Sequence, residues 1–380
     1  MDAFILESLP GRVVFGPGTL DRLAQEIEQL GAKRALVLST PQQEALAQDI
    51  ARRLGERCAG IFPRAVMHVP VEIAHAAREE ADRLDADCLV AAGGGSTIGL
   101  GKAIALHSSL PILAIPTTYA GSEMTPIYGL TEAGLKKTGR DPRVLPKTVI
   151  YDPNLTLELP LGMSITSGFN AIAHAVEALY SDQPNPITAM IAEEGIRALA
   201  LGMPRIAKNP LDHDGRSDCL YGAWLCGSVL ATSGMALHHK LCHVLGGTWN
   251  LPHSETHTIV LPHVVAYNYN AAFEAMRRIE RAMDTSNAAT GIFDLMMQLN
   301  APVALKDIGM RHDDLERAAS LVMQSPFYNP RHTTRESILH LLDNAFFGRR
   351  PAVASAMDVT REAVHKSLKA QVARSAGSYS

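Results

Sequence analysis

The sequence has no long hydrophobic run and no basic cluster. No stretch of about 18 apolar residues occurs, so we expect no membrane-spanning helix. Lysine and arginine number 35 against 39 acidic residues, which gives a formal net charge of −4, and no basic stripe stands out. This balance argues against nucleic acid or an anionic membrane surface as a partner.

Cysteine pairs and a secretion signal are also missing. The five cysteines are odd in number and scattered, and no two form a CxxC pair. Residues 1–10 include Asp2 and Glu7 and lack the basic-then-apolar pattern of a signal peptide. These features favour a reducing, cytoplasmic setting.

Length and composition indicate a folded chain of two domains. Of its 380 residues, 47% are hydrophobic and 19% are charged, which is ordinary usage for globular proteins. The chain is longer than one average domain requires. We expect a first domain over residues 1–158 and a second over residues 159–380, with a tail after about residue 351 that looks like a marginal helix and a frayed end.

The first domain alternates short apolar runs with helical patterns. This alternation predicts a Rossmann-like α/β domain with a parallel sheet. After residue 153 the sequence is rich in Ala, Leu, Met and His at helical spacing, which predicts an all-α second domain. The predicted strands are residues 35–38, 67–69, 88–92, 112–115 and 148–151, and the predicted helices of the first domain are residues 43–54, 71–84 and 97–107.

A glycine-rich loop follows the apolar run at residues 88–92. Gly93, Gly94, Gly95 and Ser96 lie between a predicted strand and a predicted helix. Glycines let the backbone turn tightly and approach an anion, and the helix N-terminus offers unpaired N–H groups. We expect this loop to bind the pyrophosphate of a dinucleotide. The spacing is not G-x-G-x-x-G, so a turn without a ligand remains an alternative.

Two further sets of hydroxyls belong to the same expected site. Thr117 and Thr118 end the next strand, where their hydroxyls could bond a diphosphate or a ribose. Thr40 follows residues 35–38, near the point where an acidic residue usually binds the adenosine ribose. Because no acid is present there, we expect weak discrimination between NADH and NADPH.

The fifteen histidines are grouped at informative spacings. Asn170 and His174 are four residues apart, and so are His239 and His243. Residues four apart share one face of a helix, so two helices could each present a polar pair to one pocket. His253 would close this pocket from a loop.

Three interpretations of this group compete. His174, His239 and His253 could bind a divalent metal; the histidines could act without metal as proton donors and anion-binding groups; or they could be buried structural residues. Asn170 argues against a metal, because an amide oxygen cancels none of the ion's charge in a low-dielectric pocket. Glu177 lies one turn beyond His174 and is the weaker candidate for a carboxylate ligand.

These residues reveal a resemblance to a known family. Over residues 1 to about 350 the chain resembles the iron-containing alcohol dehydrogenase superfamily. The resemblance implies a dehydroquinate synthase-like fold with the active site in the cleft between domains, and a homodimer. It rests on Phe15-Gly16-Pro17-Gly18, residues 93–102, Pro116-Thr117-Thr118, Asp152-Pro153, residues 168–178, residues 239–253 and Leu261-Pro262-His263.

Within the superfamily the chain looks like the maleylacetate reductase branch. Residues 93–102, 119–127 and 138–148 carry this likeness. The metal-binding relatives have Asp where this chain has Gly99 and Asn170, and both departures are typical of the branch. The branch implies NADH or NADPH as cofactor and no metal; any metal would be held by His174, His239 and His253.

The resemblance also implies a reaction. A small dicarboxylate, maleylacetate, would be reduced to 3-oxoadipate in the degradation of aromatic compounds. We expect His243 and His253 to donate protons, and His239, His174 and Asn170 to line the same pocket. Lys137 is expected to bind the cofactor, and Lys147 and Arg331 are expected to bind the substrate carboxylates.

Three alternatives remain open at this point. One is a metal-dependent alcohol or aldehyde dehydrogenase of the same fold. The second is a lyase or synthase on the same two domains, which would need a strong metal site. The third is a nucleotide-binding or scaffold protein without catalytic activity.

Overall fold

The first domain is built around one parallel sheet. The computed structural model describes Leu6, Leu9, residues 11–132 and residues 135–352. The strands are β1 (Arg12–Phe15), β2 (Ala35–Leu38), β3 (Cys58–Phe62), β4 (Cys88–Gly93), β5 (Ile112–Pro116), β6 (Ile127–Glu132), β7 (Leu135–Arg140) and β8 (Thr148–Tyr151). Six of them form a parallel sheet in the order β1-β8-β5-β4-β2-β3, and β6 and β7 form a separate antiparallel hairpin. The central strands β2, β4 and β5 are fully buried, as their continuous apolar runs predict.

The helices of the first domain are α1 (Leu23–Gln29), α2 (Glu44–Leu54), α3 (Val71–Arg83) and α4 (Gly95–Ser108).

The second domain is helical throughout the part that the structure describes. Its helices are α5 (Leu161–Leu179), α6 (Pro186–Lys208), α7 (His213–Thr232), α8 (Leu237–Trp249), α9 (His253–Asn268), α10 (Phe273–Met283), α11 (Ala288–Gln298), α12 (Leu315–Val322) and α13 (Arg335–Phe347). The predicted fold class is confirmed.

None of the described helices is by itself long and apolar enough to cross a membrane. Together α7 and α8 would reach that length and composition, but they are bent by 99° at the break between them.

The predicted strand at residues 67–69 is wrong. These residues form a turn, and the strand of this region is β3, where Gly60 interrupts the apolar pattern. Strands β1, β6 and β7 were not predicted. The predicted tail helix falls on residues 353–380, outside the described residues. The boundary expected near residue 158 falls between the end of β8 and the start of α5 at Leu161.

The connections place an open crevice between two central strands. From β2 the chain passes through α2 to β3 on one side, and from β4 it passes through α4 to β5 on the other. The loops after β2 and β4 therefore diverge at the carboxyl edge of the sheet. Such a switch point is where open α/β sheets bind ligands.

Arg216 of α7 connects the two domains. Its guanidinium is fully buried and donates to Ser164 Oγ at 2.7 Å, to Tyr119 Oη at 3.2 Å and to Leu159 O at 3.1 Å. It also donates to Pro210 O at 2.9 Å. Tyr119 follows β5 in the first domain, and Leu159 lies in the connection to α5. One side chain therefore fixes the loop after β5, the interdomain connection and the start of α7 to one another.

We predict that Arg216→Met lowers the free energy of unfolding by ~2–4 kcal/mol, because it leaves several buried acceptors without a donor. Urea denaturation measures the change. The matched control is Arg197→Met, which removes a half-exposed guanidinium paired with Glu194 and should cost less than about 1 kcal/mol. Equal destabilisation by the two variants would contradict this role for Arg216.

Candidate active site

Two glycines at the end of β4 form a cradle that a side chain would fill. Gly93 has φ 153°, a backbone conformation that favours glycine, and a Cβ there would lie 2.5 Å from Thr97 Oγ1. A Cβ on Gly94 would lie 2.8 Å from Thr118 Cγ2. Gly94 is the N-cap of α4, and no side chain caps this helix. The cradle therefore suits an anion such as the diphosphate of a dinucleotide.

The predicted cofactor residues meet at this edge. Thr117 N donates to Gly93 O at 3.2 Å, so the loop after β5 lies beside the glycine loop. Thr40 follows β2, which neighbours β4 in the sheet. Gln43 Nε2 donates to Thr117 Oγ1 at 2.7 Å and ties these loops together. Sequence reasoning missed Gln43, which it took only as the start of a helix. The structure thus brings together Thr40, Gly93, Gly94, Gly95, Ser96, Thr117 and Thr118.

We predict that Gly94→Ala weakens NADH binding by about tenfold or more, because the new methyl group pushes Thr118 into the cradle. Titration of NADH fluorescence measures the dissociation constant. Gly162→Ala is the control, since a Cβ there meets nothing within 4 Å. NADH affinity that is unchanged in a folded Gly94→Ala protein would mean that the dinucleotide binds elsewhere.

The histidine pairs lie on two helices that both pack against α9 and whose side chains meet, as their spacing predicts. Helix α5 carries Asn170 and His174, and α8 carries His239 and His243. The imidazoles of His174 and His239 stack with ring centroids 5.2 Å apart, and those of His239 and His243 are 6.0 Å apart. His253 is the first residue of α9 rather than a loop residue.

Glu177 of α5 binds the start of α8 through hydrogen bonds. Its buried carboxylate accepts from Ala236 N at 2.8 Å, from His238 N at 2.6 Å and from His239 Nδ1 at 2.6 Å. A carboxylate is favourable at a helix N-terminus, where N–H groups are unpaired. Because Nδ1 of His239 donates to Glu177, its Nε2 is left on the opposite side of the ring. The sequence reasoning considered Glu177 only as a weak metal ligand.

A second layer of side chains lies beside this group. His238 Nε2 and His257 Nδ1 are 3.0 Å apart, and Cys242 Sγ lies 3.7 Å from His238 Nε2. The rings of His257 and His253 are 4.3 Å apart, so the layer contacts a predicted catalytic residue. Burial raises the pKa of the Cys242 thiol well above its usual range. His238 and His257 were not predicted, although His257 follows His253 at helical spacing.

Burial keeps the inner imidazoles neutral. Desolvation, reinforced by the neighbouring His239, His253 and His243, lowers the pKa of His174 well below its usual range. Desolvation likewise lowers the pKa values of His238 and His257. His174 is therefore a neutral residue of the site and is unsuited to donate a proton as an imidazolium.

The predicted metal ligands do not fit a compact ion site. Among the described residues, only His238, Cys242 and His257 form a group of three such side chains whose ligand atoms all lie within 4.8 Å of one another. His174, His239 and His253 do not meet that spacing. Asn170 adds an uncharged amide, whose Oδ1 is buried without a hydrogen-bond partner in the described structure.

A cleft of ≈ 300 Å³ opens between the domains beside the histidines. His243 and His253 line it from the second domain, and His68 and Thr131 line it from the first. Asn170, His174 and His239 are at most 5% exposed and are not among the residues that line the cleft, although His239 contacts His243. The two leading candidates for proton donation are thus the predicted residues that face the cleft.

Two of the three predicted cations lie away from the histidines, and Lys137 lies on the hairpin that contributes Thr131 to the cleft. Lys137 is on β7 and its exposed ammonium pairs with Glu132 Oε2 at 2.6 Å. Lys147 directly precedes β8, so it lies at the amino edge of the parallel sheet, opposite the glycine loop. Arg331 donates to Tyr267 O at 3.2 Å, roughly 20 Å along α9 from His253 at about 1.5 Å per residue. The structure does not bring Lys147 or Arg331 to the histidines.

Comparisons with known proteins define the family. A family model described as iron-containing alcohol dehydrogenase matches residues 10–153, and one described as Fe-containing alcohol dehydrogenase family, C-terminal, matches residues 164–346. The chain belongs to the iron-containing alcohol dehydrogenase family and is an oxidoreductase.

Individual relatives narrow the likeness. Maleylacetate reductase from Burkholderia cepacia is 57% identical over 352 residues, which cover 93% of this chain and 100% of that protein. The crystal structure of maleylacetate reductase from Agrobacterium tumefaciens matches with a TM-score of 0.90 at 49% identity, covering 92% of this chain and 100% of that one. A putative alcohol dehydrogenase from Ralstonia eutropha JMP134 matches with a TM-score of 0.92 at 60% identity, covering 93% and 100%.

Proposed function

We propose that this chain reduces the carbon–carbon double bond of maleylacetate with NADH or NADPH and forms 3-oxoadipate. The observation that carries the proposal is the lining of the cleft. Among the described residues that line it, the titratable side chains are three histidines and one cysteine, with no Asp or Glu. A cleft without negative charge can accept a dianion, because it avoids like-charge repulsion in a low-dielectric site. Full-length relatives named for this reaction support the same substrate.

The residues of the cleft supply what the reaction requires. A bound reduced nicotinamide supplies the hydride. Negative charge then develops on the ketone oxygen, and N–H donors aimed at that oxygen lower the barrier. His243 and His253 face the cleft and are the groups that hold this charge and deliver the proton.

The wall behind the cleft positions these donors. Glu177 fixes the start of α8, the helix that carries His243, through bonds to Ala236 N and His238 N. His257 packs against the His253 ring and is itself bonded to His238. Both donors are therefore supported by buried polar contacts, which reduces the reorganisation needed during the reaction.

The proposal requires no metal, and it includes a homodimer in the cytoplasm. In the donor set Asn170 is neutral, and His174, His239 and His253 are not a group whose ligand atoms all lie within 4.8 Å of one another. The homodimer and the cytoplasmic setting follow the resemblance to the branch.

The test is NADH oxidation with maleylacetate, on protein whose metal content has been measured before and after treatment with a strong chelator. We expect full activity in metal-free protein, since histidines supply the electrophilic groups. Activity that disappears with the metal and returns with iron or zinc would show that the chain is metal-dependent. Activity with simple alcohols and none with maleylacetate would overturn the proposed substrate.

We predict that His243→Ala lowers kcat by about 100-fold or more and changes NADH affinity less than about threefold, because the lost N–H acts on the developing enolate. Steady-state kinetics and NADH titration separate the two effects. His340→Ala, at an exposed position on α13, is the matched control. Equal losses in turnover and NADH binding would rule out proton donation by His243.

A further inference from the structure

His68 is the histidine that the first domain contributes to the cleft. It lines the cleft together with Thr131, while His243 and His253 line it from the second domain. No Lys or Arg is among the described residues of this lining. The residues previously expected to bind carboxylates, Lys147 and Arg331, lie elsewhere. Among the cleft-lining residues that the structure describes, the histidines are the groups suited to bind an anion.

The backbone at His68 is held in an unusual conformation. His68 has φ 65° and Val69 has φ 45°, and a positive φ is rare for a β-branched residue. Such strain persists only where surrounding contacts impose it. Thr131 of β6 imposes it here, because its Oγ1 donates to His68 O at 2.8 Å and its N donates to Val69 O at 3.1 Å. The turn that carries His68 is therefore tied to the hairpin at the cleft.

Gly99 is the second requirement for this turn. A Cβ at position 99 would lie 2.8 Å from Val69 Cγ2, closer than carbon atoms can pack. Val69 is buried at 6% exposure, so it has little room to withdraw. A side chain on α4 at this position would displace the turn and move His68. The observed shape of the cleft therefore requires glycine at position 99.

We propose that His68 binds a carboxylate of the substrate from the first domain, across the cleft from His243 and His253, and that Gly99 permits the turn that places it there. The proposal deepens the proposed function and rests on it. A ring N–H of His68 donates to the carboxylate, while His243 and His253 face the ketone oxygen. The dianion is then held between the two domains, and His68 determines affinity for the anionic substrate rather than the rate of proton transfer.

The experiment compares His68→Ala and His68→Gln with the unaltered protein. For His68→Ala we expect a rise of about tenfold or more in KM for maleylacetate and in the inhibition constant of 3-oxoadipate, with kcat and NADH affinity changed less than about threefold. His68→Gln retains an N–H donor and should recover part of the loss. His75→Ala, an exposed histidine on α3, is the matched control.

A second variant tests the link to the glycine. Gly99→Ala should raise the KM for maleylacetate and the inhibition constant of 3-oxoadipate, although residue 99 does not line the cleft. Gly101→Ala is the control and should leave both constants unchanged, because its Cβ would lie at an ordinary 3.4 Å from Ala91. Thermal unfolding confirms that each protein is folded.

The outcomes separate the two proposals. If the unaltered protein reduces maleylacetate but both constants are unchanged in His68→Ala, the role of His68 is refuted. If kcat and NADH affinity fall in parallel with substrate affinity, His68 is only structural. If the unaltered protein does not reduce maleylacetate, the proposed function itself fails, and the role of His68 fails with it.

Discussion

The site depends on one buried carboxylate, Glu177. Its two oxygens accept from the backbone of α8 and from His239, and its side chain is fully buried. A buried charge is costly unless several donors surround it, and here three N–H groups do so. The start of α8 and the orientation of His239 are consequently fixed by the same interaction. Glu177 therefore fixes the histidines of α8 relative to those of α5.

The two domains are joined by contacts as specific as this one. A Cβ on Gly227 of α7 would lie 2.2 Å from Gly121 O, so only glycine allows α7 to approach the loop after β5 this closely. Arg216, about three turns earlier on the same helix, donates a hydrogen bond to Tyr119 Oη of that loop. Helix α7 is therefore held close to the loop after β5, although none of the described residues that line the cleft lies on this helix.

How far the sequence predicts this arrangement depends on the range of the interactions involved. The buried strands β2, β4, β5 and β8 and the glycine loop follow from local patterns and were predicted. Strand β3 was missed because Gly60 breaks its pattern. The role of Glu177 depends on residues about 60 positions away, and the turn at His68 on a threonine 63 positions away. Lys147 was misjudged for a different reason: a residue that precedes a parallel strand lies at the amino edge of the sheet, away from the ligand.

Asn170 and Gly99 affect the same cleft in different ways. Asn170 adds no charge to the site, and the carboxylate of Glu177 accepts from three N–H donors. Gly99 leaves room for Val69, and with it for the turn that carries His68 to the cleft. Among the described residues that line the cleft, three are histidines and none is Asp or Glu. Such a site favours a doubly charged substrate over a neutral alcohol, because the Coulomb energy of a buried dianion is far more sensitive to nearby charges.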